Sequence, residues 1–209
     1  MSETKHREQK VGVFVDVQNM YYSAKNLYQG KVNFSEVLKV AVSKRRLIRA
    51  FAYVIRADVG AEKEFFEALH KIGFEVKEKD LQIFYGGAKK GDWDVGLCMD
   101  VIRLLPKIDV MVLISGDGDY TELLKYAKSQ GVKTEIISFG RTTSKMLIDE
   151  AEEVVDMSED VSKFLIGAKK ENPKSPYSSS RNPEVGTNND MLETQSIANN
   201  EGVQDEQEN

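Results

Sequence analysis

Short apolar runs alternate with stretches of helical periodicity through most of this 209-residue chain. The run VGVFV at 11–15 reads as a strand, and 19–28 is compatible with a helix. Ser35 stands where it would cap a helix over 36–44. Residues 48–55, which include FAYVI, are aromatic and β-branched and predict a second strand. Over 61–72, Phe65, Phe66, Leu69 and Ile72 recur at helical spacing, and Gly73 ends the helix. Residues 74–76 and 81–84 look extended. A helix over 92–105, stopped by Pro106, precedes a buried strand at 109–114. A helix over 120–129 closed by Gly131, a strand at 132–138 and a helix over 144–151 follow. An extended pair at 154–155 and a last turn at 161–165 complete the series.

Strand and helix alternating in this way predict an α/β fold in three layers, a mostly parallel sheet with helices on both faces. Continuous apolar runs such as VGVFV and VMVLI suit strands buried on both sides. In such sheets a ligand sits at the carboxyl ends of the strands, near the point where strand order reverses. That rule selects which polar residues to weigh.

Composition divides the chain. Residues 1–10 are a polar lead, 11–167 carry the alternation, and 168–209 turn rich in Asn, Ser, Glu and Pro. The last segment has too few large apolar residues to offset the entropy of ordering it, so a disordered tail is expected, free to recruit a protein partner. The tail holds four basic and eight acidic residues, which leaves the other 167 residues at −1 of the total −5. A nearly neutral domain excludes a constitutive binder that works through a strongly basic surface, and leaves room for a local basic patch. The lone Cys98 rules out an internal disulfide and falls within the apolar pattern of a helix, where it reads as core. MSETKHREQK contains no apolar signal region, and the longest apolar run is far short of the ~20 residues of a membrane span. A soluble, cytoplasmic protein is expected, with self-association into a homo-oligomer compatible with it.

Two apolar strands end in aspartate. VGVFVD places Asp16 at one carboxyl end, and VMVLISGDGD places Asp117 and Asp119 just past another. Asp94, in KKGDWDVGL, opens a helix that would reach the same crevice. Carboxylates this close raise one another's pKa, and a hard divalent cation, Mg²⁺ or Mn²⁺, resolves the conflict. An aspartate after a strand is also a common helix N-cap, which is the plainer explanation of any one of them. Four at one edge with no matching Lys or Arg favour a metal site. Asn19 and Asp100 are second-rank candidates, the latter six residues after Asp94 and so bordering the cleft instead of sharing an ion. Gly116 and Gly118 are expected to permit a tight turn.

VFVDVQN, KGDWDVGLCMD, VLISGDGDY and IISFGRTTSKML followed by AEEVVDM occur in this order across about residues 11–160. Together these blocks resemble the NYN domain family, PIN-like proteins of the LabA-like group. The resemblance implies a PIN-like (Rossmann-like) fold and a metal-dependent ribonuclease site. Its acidic motif positions fall on Asp16, Asp94, Asp117 and Asp119, with Asn19 and Asp100 at further motif positions.

RNA brought past four carboxylates needs cations nearby. Lys90, Arg141 and Lys145 are the candidates, in loops expected to border the crevice. Tyr21, Tyr22 and Trp93 would stack the bases of a single strand, against a simpler reading of Tyr22 and Trp93 as partly buried. The run Lys44, Arg45, Arg46, Arg49 precedes a strand and is expected to be a solvated face at the opposite edge. The leading expectation is an endonucleolytic ribonuclease using metal-bound hydroxide as base. The alternative is a non-catalytic RNA-binding or regulatory module that keeps the metal site as a phosphate dock. Phosphatase chemistry on Asp16 would want a second aspartate two residues on, where Gln18 stands.

Overall fold

The computed structural model describes residues 6–56, 62–83, 89–90 and 92–167, with the side chains of 82–83 and 89–90 left aside. The expected tail over 168–209 and residues 1–5 of the expected lead lie outside the described residues. Residues 6–9 form a turn, and Lys10 already belongs to the first strand.

The main sheet is built from β1 (Lys10–Asp16), β2 (Arg46–Arg56), β3 (Glu75–Asp80), β4 (Val110–Ile114), β5 (Lys133–Ser138) and β6 (Glu153–Asp156). Its order is β3-β2-β1-β4-β5-β6, and every pairing in it is parallel. The connecting helices are α1 (Val17–Tyr28), α2 (Phe34–Val42), α3 (Lys63–Ile72), α4 (Asp94–Leu104), α5 (Thr121–Ser129) and α6 (Lys145–Glu150). Alternate residues of each strand feed opposite cores. Val11, Val13 and Val15 of β1 meet Val110, Val112 and Ile114 of β4 under Val17, Met20 and Ala24 of α1. Phe14, Met111 and Leu113 face the other way, against Leu97 and Val101 of α4 and Leu124 of α5. The three-layer α/β expectation therefore holds. Cys98 is half-buried against that second core, and burial pushes its thiol pKa up, which suits a packing role.

Several boundaries differ from expectation, for local reasons. The cap of α2 is Asn33, whose Oδ1 accepts the Glu36 amide at 3.3 Å, so Ser35 lies inside the helix. β3 runs the length of EVKEKD, where only its start looked extended. It is an edge strand, and charge along an edge discourages pairing with another chain while hiding the strand from an apolar-pattern search. The expected segment at 81–84 is reduced to Gln82–Ile83, antiparallel to Lys89–Lys90, with residue 84 outside the described residues.

Strand order reverses between β1 and β4. From there α1 leaves to one face and α5 to the other, which opens a crevice at the carboxyl ends of these two strands.

Candidate active site at the strand-order reversal

Asp16 is the last residue of β1 and the N-cap of α1. Its Oδ1 accepts the Asn19 amide at 3.0 Å, and the buried Ser115 hydroxyl donates to Oδ2 at 3.5 Å. The Asn19 side chain spans the crevice and accepts the Gly116 amide at 3.0 Å, so α1 holds the loop that follows β4. In that loop Asp117 Oδ1 accepts the Asp119 amide at 3.0 Å, and the Ser115 hydroxyl accepts the Asp117 amide at 3.2 Å. Asp94 enters from the start of α4, where the buried Tyr120 hydroxyl donates to its Oδ1 at 2.9 Å.

Electrostatics ties the four acids together. Burial pushes the Asp16 carboxyl up to about 6, and the charges of Asp94 and Asp117 push the same way. The Asn19 amide and Ser115 hydroxyl pull it back only in part. Asp94 is raised as well, by burial first and then by Asp92, Asp117 and Asp119, against the Tyr120 hydroxyl. Burial, Asp16 and Asp94 raise the Tyr120 phenol, which stays protonated and remains a donor. Among the described residues no Lys or Arg is ion-paired with any of the four acids.

By donor chemistry this set suits a hard divalent cation: all ligand atoms are carboxylate oxygens that repel one another. Oδ2 of Asp94 and of Asp117, and both oxygens of Asp119, carry no hydrogen bond among the described residues. As the side chains are placed, no three His, Cys, Asp or Glu among the described residues are arranged to hold one ion. Gathering around a cation therefore requires side-chain rotation at these acids.

The other candidates separate. Asn19 holds the crevice together. Asp100 has partners of its own: it accepts from the Tyr53 hydroxyl and from Arg103 Nη1, each at 3.2 Å, and pairs with Lys77 at 3.6 Å. Arg141 and Lys145 are exposed, on a loop and helix start that abut the site. The Lys90 side chain lies outside the described residues. Tyr21 is exposed and meets the half-buried Tyr22 edge-on, while Trp93 is half-buried and donates its indole N–H to the Val54 carbonyl at 2.8 Å. The expected solvated run contains an exception: the Arg45 side chain is fully buried, bound to Glu135. Pattern reading also missed Ser115 and Tyr120, which sit inside VLISGDGDY and position the acids beside them.

Gly116 and Gly118 serve a purpose other than the one expected. Neither has a positive φ. A Cβ at Gly116 would stand 2.8 Å from the Thr142 carbonyl oxygen, and one at Gly118 would stand 2.6 Å from Ser144 Oγ. Glycine thus lets the loop after β5 press against the acidic turn. Gly116→Ala meets backbone and is expected to lower stability by about 1–3 kcal/mol in urea denaturation. Gly118→Ala meets a serine side chain that can shift, and its loss should be smaller. Equal losses would contradict the close-approach explanation.

The NYN domain pattern matches residues 10–159. The chain is 22% identical over 167 residues to the low amplitude and bright protein LabA of Synechococcus elongatus, covering 76% of this chain and 89% of that protein. Its fold is similar to the crystal structure of a protein of unknown function from Vibrio parahaemolyticus. That match has a TM-score of 0.71 at 32% identity and covers 78% of this chain and 99% of the other.

Proposed function

The chain belongs to the NYN domain family, in general PIN-like nucleases, and from that premise we propose that it is a metal-dependent ribonuclease cutting RNA within the strand at Asp16, Asp94, Asp117 and Asp119. The observation that carries this reading is the placement of four acids at the strand-order reversal, two of them with raised pKa and, among the described residues, none ion-paired. Family membership connects the domain with RNA in general. Among the described residues no helix is long and apolar enough to cross a membrane.

Asp16, Asp117 and Asp119 would hold Mg²⁺ or Mn²⁺, and Asp94 would either join them or orient the attacking water. A bound cation supplies charge neutralisation at the phosphate and a water of lowered pKa. The chain's own groups do the positioning. Tyr120 keeps one oxygen of Asp94 occupied and leaves the other without a hydrogen bond among the described residues. Ser115 and the Asn19 amide restrain Asp16 at the strand end. Arg141 and Lys145 offset the repulsion between phosphates and carboxylates at the rim.

The test is cleavage of an end-labelled, single-stranded oligoribonucleotide with Mg²⁺ or Mn²⁺, beside chelator-treated protein, the Asp117→Asn variant and a DNA strand of the same sequence. Internal products that vanish on chelation and in the variant are expected. Cleavage that persists in EDTA would overturn the metal requirement. Metal-dependent retention of RNA without products would replace catalysis by a phosphate-docking regulatory role, and a ladder from one end would replace internal cutting by an exonuclease.

A further inference from the structure

Val95 and Met146 are the two most exposed large apolar side chains among the described residues, at 74% and 66%. Scattered apolar exposure is ordinary and needs no explanation. Here the placement is informative. Val95 follows Asp94 in the first turn of α4. Met146 lies two residues after Ser144, the residue pressed against Gly118. Both helices contact the Gly118–Tyr120 turn that carries Asp119, so the two exposed side chains stand on the elements that border the acidic crevice. On the same rim, Arg141 and Lys145 are exposed and have no ion pair among the described residues.

We infer that Val95 and Met146 form an apolar rim that packs against the nucleobases on either side of the phosphate held at the acids. This rests on the ribonuclease reading above and names how that substrate is gripped. A phosphodiester in the crevice must carry its neighbouring bases out past the start of α4 and the start of α6. Base faces are apolar whatever the sequence, and apolar side chains wedge against or between them. Arg141 and Lys145 then meet the flanking phosphates. A duplex cannot present its bases in this way, so the rim selects single strands. The competing occupant is a protein. Its contact would extend along α4 over Met99 and Ile102, exposed at 41% and 38% and continuing the line from Val95.

The full chain and a Val95→Ser/Met146→Ser variant are compared for binding to a single-stranded oligoribonucleotide and to an abasic strand of equal length. Fluorescence anisotropy is read with Ca²⁺ in place of Mg²⁺, and cleavage is followed separately with Mg²⁺. The wild type should favour the base-bearing strand by about tenfold or more, and the variant's preference should fall toward one, since covering two such side chains accounts for at least a tenfold effect. A preference unchanged in the variant, with wild-type cleavage intact, overturns the rim and leaves the ribonuclease standing. A wild type that neither binds nor cleaves overturns both. A wild-type dimer that becomes monomeric in the variant, on gel filtration at equal concentration, assigns the face to a second copy and overturns the rim.

Discussion

Asp16→Asn is expected to lower metal-dependent RNA cleavage roughly 100- to 1,000-fold, the range for losing one group that stabilises transition-state charge. The same substitution should make the metal-free protein more stable near neutral pH. Asparagine caps helices as well as aspartate does, so the hydrogen bond from the Asn19 amide survives. What is removed is a charge that the folded state disfavours. With its pKa pushed up to about 6, the Asp16 carboxyl holds its proton more tightly folded than unfolded. Its ionisation therefore costs nothing below about pH 4 and reaches its full cost above about pH 6, on the order of 3 kcal/mol. Urea titrations from pH 4 to 8 without metal should show the wild type losing stability through this window and the variant losing less. Mg²⁺ should stabilise the wild type more at pH 7.5 than at pH 5, because protons and cation compete for one carboxylate, and should stabilise the variant less at either pH. A variant less stable than the wild type at pH 7.5 without metal would mean that the folded state does not disfavour the Asp16 charge.

The two consequences of that substitution come from different levels of the chain. That Asp16, Asp117 and Asp119 share an edge was legible, because each closes or follows an apolar run and parallel strands place such ends together. Asp94 was legible mainly through family likeness. Its contact with the site depends on how α4 crosses the second core and on a tyrosine 26 residues away, neither of which periodicity encodes. The same limit explains Asp100. Motif position and helical spacing put it at the border of the cleft, and only the structure shows that Tyr53, Lys77 and Arg103 are its partners. For the glycines, the residue type marked a special site, and only the structure tells close approach from a φ requirement. β3 illustrates the reverse difficulty, since an edge strand defended by charge carries little apolar pattern to detect.

The most structural departure from the pattern, Arg45, carries the second large effect. Its guanidinium meets Glu135 in a bidentate pair at 2.7 and 2.8 Å and donates to the Ala41 carbonyl at 2.7 Å and the Val42 carbonyl at 3.2 Å. The end of α2 is thereby tied to β5, the strand whose following loop presses on Gly116. Glu135→Leu is expected to cost about 3–5 kcal/mol in urea denaturation, because it leaves a guanidinium buried without its carboxylate. Arg45→Met should cost less, because Lys133 Nζ still stands 3.8 Å from Glu135. The double variant should recover most of the loss, since apolar groups of similar size often replace a buried ion pair at little cost. Its RNA cleavage below the unfolding transition should match the wild type, because neither residue lies at the acids. A double variant whose loss equals the sum of the two single losses would show that the two side chains act separately, and that the hydrogen bonds from Arg45 to the end of α2, not its pairing with Glu135, hold this part of the fold.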